Sequence, residues 1–266
     1  MFESQAADSG GENEKEPMTT MGFLDHLEEL RRRIVYSIAA VAVGFIACWW
    51  KVERIYDVMQ RPIMDALKAN GLAEKLVYLN PTEPFNLYLK IAALAGLFLT
   101  SPFVLYQVWM FISPGLYRNE KRYVVPFMVS TIALFTSGGY FGYKIVYPAA
   151  LNFLIAFGKQ FQPMITIGEY TSLFLSIILG MGLIFEMPIL VFFLALMGIV
   201  SAGFMWKNFR YSILVIFIIA AIVTPTTDIL NMCIFAAPMI ALYAVSIGVA
   251  WLVHPKQRKA RKEKQA

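Results

Sequence analysis

Residues 34–50 run without a single charge and end in Trp49-Trp50. Five more apolar runs follow, at about 84–112, 123–146, 170–200, 211–223 and 229–253. A helix of about 20 residues crosses the roughly 30 Å hydrocarbon core of a bilayer, and tryptophan anchors such a helix at the interface. Six runs of this kind leave little room for any architecture but helices in a membrane, because lipid tolerates only backbone whose polar groups are paired internally. Composition agrees, with 58% hydrophobic residues, 15% charged and a mean hydropathy of +0.60. The expected fold class is an all-α integral membrane protein with six transmembrane helices.

The fifth run holds thirteen residues. A helix of that length spans only about 20 Å, so thinned bilayer or neighbouring helices must shelter its ends. The turn after it, Thr224-Pro-Thr-Thr-Asp228, is very short.

The segments between the runs carry the specific chemistry. Residues 1–20 are polar and acidic and read as a disordered tail, with no apolar core of a signal peptide. Residues 21–253 form the membrane domain, and 254–266 a basic tail. Phe23, Leu27, Leu30 and Ile34 recur at i, i+4, i+7 and i+11. This predicts a short amphipathic helix at the interface, running into the first span. In the polar stretch 51–83, Ile55, Val58, Met59, Ile63, Met64 and Leu67 predict interfacial helices, broken at Pro62 and closed at Gly71. The second run ends in aromatics and turns through Ser113-Pro114-Gly115, where a helix cannot continue. Asn119 then offers an N-cap, and Glu120 a favourable charge at the new helix start.

Several function classes are poorly supported. Cys48 and Cys233 lie in separate runs with no CxxC, which argues against a metal or redox motif and leaves a disulfide between them open. His26 and His254 lie outside the spans, and there is no HExxH or GxSxG. Ser137-Gly138-Gly139 has no in-span histidine to serve as a base, and Gly138-x-x-x-Gly142 fits close helix packing instead. With no nucleophile–base pair, no enzyme activity, metal or cofactor is expected. The net charge of +5 and pI of about 9.1 come mainly from membrane edges, not from a nucleic-acid face.

The basic residues orient the chain. With six spans both termini share one side, which carries 15 Lys and Arg against 6 on the other. By the positive-inside rule the termini are cytoplasmic, and Glu29 and Glu120 share the cytoplasmic face. Glu29 reads either as an i, i+4 partner of Arg33 or as a ligand-binding acid, and Glu120 either as a helix-start acid or as the same. Glu186 stands alone as an acid deep in a span, where an ionised carboxylate costs about 2.5–3.5 kcal/mol. Gly180 and Gly182 thin the helix beside it, and Pro188 frees the carbonyl of Ile184. Glu186 is therefore expected to face a groove inside the bundle, either in a hydrogen bond between helices or at a partner or proton site.

These motifs carry a resemblance. Phe23-Leu-Asp-His-Leu-Glu-Glu-Leu-Arg-Arg-Arg33, then Leu105-Tyr-Gln-Val-Trp-Met-Phe-Ile-Ser-Pro-Gly-Leu-Tyr117 with Glu120-Lys-Arg122, resemble the TatC family, the core of the twin-arginine protein translocase. Phe185-Glu-Met-Pro188 and Thr224-Pro225 with Asp228 match two further motifs in order. The resemblance covers residues 21–253. It implies a concave, glove-like bundle in the bacterial cytoplasmic (inner) membrane. It also implies recognition of twin-arginine signal peptides on the cytoplasmic side and export of folded proteins driven by the proton-motive force.

By the motif match, Glu29 and Glu120 are the signal-binding acids, with Phe111 nearby. Glu186 and Asp228 are intramembrane polar or partner contacts, and Pro62, Pro114 and Pro188 are structural. The implied partners are TatA- and TatB-type single-span proteins, membrane lipid and further copies of the chain, with no nucleic acid. The last outer turn is one residue longer than the family often has, and Met232 stands at a position where glutamine is common. The competing reading is a proton-coupled secondary transporter using Glu186, but inverted repeats and several midplane polar groups, which that class shows, are missing.

The topology is directly testable. A cysteine placed at Asn119 should react with an impermeant thiol reagent only from the cytoplasm, and one at Lys75 only from outside. The reverse pattern would overturn the orientation.

Overall fold

The computed structural model describes residues 23–73, 75–112, 124–158, 160–161, 164–196, 198–223 and 229–263. The expected tail 1–20 lies outside them, as do the turn after Ile112 and the Thr224–Asp228 turn. The described chain is helical: α1 (Phe23–Trp49), α2 (Val52–Ala69), α3 (Glu83–Ile112), α4 (Val124–Phe141), a π-helical turn (Gly142–Val146), α5 (Tyr147–Phe157), α6 (Ile167–Ile184), α7 (Met187–Leu196), α8 (Ala202–Lys207), α9 (Phe209–Val223) and α10 (Ile229–Glu263). Four stretches among the described residues are long and apolar enough to cross a bilayer: His26–Trp49, Glu83–Phe111, Ile167–Leu196 and Met232–Trp251. The third apolar run is α4 with the π turn, continued by α5 past the expected end at Val146, and the fifth is α9, of 15 residues. The protein is an all-helical, multi-span membrane protein.

Close backbone approach organises the packing. α1 crosses α3 where Gly44 meets Gly96: a Cβ on Gly96 would lie 2.6 Å from the backbone nitrogen of Phe45, and one on Gly44 would lie 2.7 Å from the Gly96 carbonyl oxygen. In lipid no water drives helices together, so contact of this intimacy supplies the association. The Gly138-x-x-x-Gly142 run does the same between α4 and α6, with a Cβ on Gly138 falling 2.6 Å from the Met181 carbonyl oxygen.

The expected break at Pro62 does not occur. α2 runs unbroken through a buried Pro62. Proline has no N–H for the carbonyl of Val58, four residues back. The Tyr143 hydroxyl, from the π turn, donates to that oxygen at 2.7 Å, and the Tyr170 hydroxyl of α6 donates to Met59 O at 2.7 Å. Pro102 in α3 is handled likewise, since Ser101 Oγ donates to the orphaned carbonyl of Phe98 at 2.8 Å. α2 does close at Gly71, as expected (φ 69°), with Leu72 N donating to Leu67 O at 2.9 Å and Gly71 N to Lys68 O at 3.1 Å. This pairing satisfies the last carbonyls of the helix. Val77 pairs with the segment before α6 through Val77 N to Ile165 O (3.0 Å) and Ile167 N to Val77 O (2.8 Å), tying the α2–α3 and α5–α6 links together.

The amphipathic segment does run into the first span as expected, the two forming one continuous helix, α1. Other boundaries differ from expectation. The fourth run is two helices, parted at Phe185-Glu186, because Pro188 can sit in the first turn of a new helix but cannot bond back to Ile184. α10 continues past Val253 to Glu263, where Lys, Gln, Arg, Ala and Glu are strong helix formers. Cys48 is buried and Cys233 exposed, both as free thiols.

Replacing Gly96 with Ala should force α1 off α3 and cost about 1–3 kcal/mol, the range for overpacking a tight contact. Thermal unfolding of the purified protein in detergent should report a lowered midpoint.

Candidate functional site

The α1–α3 pair diverges in character along its length. At the end carrying Trp49, aromatic contacts join it, with the Trp49 and Phe85 rings 6.1 Å apart. At the other end the contacts turn polar and specific. Arg33 on α1 donates from Nη2 to Glu29 Oε1 at 2.9 Å and from Nη1 to Gln107 Oε1 of α3 at 2.9 Å. Gln107 is buried, at 5% exposure, in an otherwise apolar and aromatic turn. One turn further on, His26 stacks on Phe111, with ring centroids 4.4 Å apart and planes at 14°. Glu29 thus sits between two ties from α1 to α3. Its Oε2 is buried without a hydrogen-bond partner among the described residues, as is Arg33 Nε.

The base beneath this end is rigid. Trp109 of α3 donates its indole N–H to Thr131 Oγ1 of α4 at 3.0 Å, and its ring lies 4.2 Å from that of Phe193 in α7. Trp109, Ile189 and Phe193 form a small core separate from the main one, with Phe127 against it. Two helices, α4 and α7, therefore hold the last turns of α3 in place. Aromatic pairs of this kind add about 0.5–1.5 kcal/mol each beyond simple burial.

Glu29 and Phe111 are within a turn of each other across the α1–α3 contact, and the Glu29–Arg33 helix pair expected from spacing is formed. It is the ion pair the described residues contain. Glu120, Pro114 and Asp228 lie outside the described residues. Met232, at the glutamine position, packs half-buried against the main core. Pro62 and Pro188 sit at the two backbone adjustments already described.

Glu186 is half-buried at the joint between α6 and α7, with its carboxylate against the backbone of α4 at Phe135 and Oε1 buried without a partner among the described residues. The bundle also holds an apolar hollow of about 500 Å³ between α2, α3, α4 and α6, walled by Met59, Leu94, Phe98, Gly139, Tyr143 and Phe174. Glu186 is not among the residues of that wall. The groove expected beside Glu186 is therefore not this hollow.

Two participants escape a reading of the sequence alone. Gln107 is visible as an amide in an aromatic run, a costly residue there without a partner. His26 offers no periodic signal, since its role depends on Phe111 arriving from another helix.

A chain of stacked apolar helices with broken and proline-bearing spans, and a polar constellation at one end, belongs among the multi-span membrane proteins. Residues 25–238 match the family model of the Sec-independent protein translocase protein TatC, and the chain belongs to that family. It is similar to the TatC of Koribacter versatilis, 70% identical over 251 residues (94% of this chain, 93% of that one). The TatC of Carboxydothermus hydrogenoformans is 38% identical over 245 residues (92% and 97%). A crystal structure of the twin-arginine translocase receptor TatC superposes with a TM-score of 0.77 at 33% identity, covering 86% of this chain and 99% of that one. Members of this family are translocase components and not enzymes.

Proposed function

We propose that this chain is the receptor and membrane core of a twin-arginine translocase in the bacterial cytoplasmic membrane, with both termini in the cytoplasm. It recognises the paired arginines of signal peptides at Glu29 and Glu120, beside the aromatic rim at Phe111, and assembles with TatA- and TatB-type partners to export folded proteins using the proton-motive force. The observation that carries this reading is a carboxylate on the α1–α3 seam with one oxygen held by Arg33 and the other unpartnered. A carboxylate accepts a planar guanidinium through paired hydrogen bonds, which an ammonium cannot reproduce, so the site selects arginine over lysine.

Glu29→Ala and Glu120→Ala should each weaken binding of an arginine-pair signal peptide by about 1–3 kcal/mol, the loss of a charge-assisted contact. The preference for Arg-Arg over Lys-Lys peptides should shrink in both variants. Fluorescence-polarisation titration of the purified protein in nanodiscs measures both quantities. Parental affinity and unchanged discrimination would leave the two acids as helix-stabilising residues only.

Glu186 has a separate role in this proposal. Its unpartnered oxygen at the α6–α7 joint receives a polar group from the membrane helix of a TatA-type partner. Glu186→Ala should then leave signal binding intact and impair export, with Glu186→Gln milder because it keeps hydrogen bonding. Paired binding and export assays check this, and normal export by Glu186→Ala would remove the residue from the mechanism.

A further inference from the structure

The contact between Arg33 and Glu29 is an unfinished one. An arginine and a carboxylate one helical turn apart tend toward a fork, two parallel N–H···O bonds that engage both oxygens. Here a single bond forms, from Nη2 to Oε1 at 2.9 Å. The two atoms that would complete a fork, Arg33 Nε and Glu29 Oε2, are both buried and both without partners among the described residues. Leaving two such atoms unpaired is unfavourable, the more so when the group is charged. Something must hold the guanidinium back, and the structure holds one candidate. Gln107 Oε1 accepts from Nη1, at the opposite edge of the guanidinium, also at 2.9 Å.

We infer that Gln107 is a positioning residue for signal recognition: by holding Nη1 of Arg33 it keeps the Arg33–Glu29 fork half-made and Glu29 Oε2 free for a guanidinium from the ligand. This rests on the reading of Glu29 as a signal-binding acid. Three features of the fold make Gln107 suited to the role. It is buried and comes from a different helix, so its amide is fixed against the motion of α1. Its helix is clamped in that turn by Trp109 against Thr131 and Phe193. The Phe111–His26 stack then fixes α1 on the far side of Glu29. Without Gln107, Arg33 is free to turn its Nε–Nη2 edge squarely onto Glu29 and occupy both oxygens. The chain's own arginine then stands where the ligand's arginine should bind. Because Oε2 is buried, the ligand reaches it as the side chains covering that atom move aside, and the half-made fork means that no internal bond to that oxygen has to be broken.

The test is a double-mutant cycle on the full chain in nanodiscs, using a labelled synthetic peptide with adjacent arginines and its Lys-Lys counterpart. Gln107→Met, nearly isosteric and at ease in an apolar helix, should weaken the Arg-Arg peptide on the order of tenfold, the worth of a charge-assisted hydrogen bond. The Lys-Lys peptide should change much less. In an Arg33→Lys background the same Gln107→Met substitution should cost nothing, because lysine has no fork to complete. Gln107→Glu, which restores an acceptor, should recover most of the loss. An equal cost of Gln107→Met in both backgrounds would show a merely structural glutamine and overturn the inference. Parental binding by Gln107→Met, with Glu29→Gln still defective, would overturn it while leaving the receptor reading intact. Parental binding by Glu29→Gln would bring down both. Should Gln107→Met fail to assemble in the membrane, Gln107→Asn, whose amide stops one methylene short of Arg33, should show the same loss in smaller measure. An Asn variant with no loss would again overturn the inference.

Discussion

Lipid offers no hydrogen bonds, and that single constraint shapes the irregular parts of this bundle. Each proline inside a helix strands one carbonyl, and in a membrane a stranded carbonyl must find a donor from the protein. Ser101 supplies one to Phe98 from within the same helix. Tyr143 supplies one to Val58 from another element, and Tyr170 bonds the next carbonyl, Met59. The repair at Pro62 is thus also a joint. The hydroxyls at this site come from the π turn and from α6, so α2 is fastened to the spans through the defect itself.

The same economy appears at the other end of α1 and α3. Gly44 and Gly96 let the two backbones touch, and that contact sets the distance at which Arg33 reaches Gln107 and His26 reaches Phe111. A polar trio at this seam is worth having only if its geometry is held, since buried polar groups that are partly satisfied are costly. The Trp109–Thr131 bond and the Phe193 ring supply the holding from α4 and α7. Four helices therefore contribute to the setting of one carboxylate, although only α1 carries it.

Glu186 and Glu29 show two ways of keeping an acid in an apolar protein. Glu29 has an ion-pair partner one turn away and sits at the end of a span. Glu186 has no such partner among the described residues and lies where the helix itself is interrupted. Its carboxylate meets the backbone of α4 at Phe135, beside the break at Phe185-Glu186.

Much of this is legible in the chain without any coordinates. Six apolar runs, the closure of α2 at Gly71, the Gly138-x-x-x-Gly142 contact and the Glu29–Arg33 pair all follow from local spacing, because each depends on neighbours within about two helical turns. The family follows from ordered motifs for the same reason. What only the tertiary structure decided were the outcomes that hinge on a distant residue. Pro62 fits into α2 without breaking it because Tyr143 arrives with a hydroxyl, and nothing within residues 51–83 announces that. Gln107 becomes part of the Glu29 site because α3 lies against α1 at a glycine crossing. Sequence by itself determined which segments enter the membrane, since that is set by the free energy of transfer of each segment alone. Which buried polar atoms are satisfied and which stay open is a property of pairs, and pairs exist only once the helices have packed.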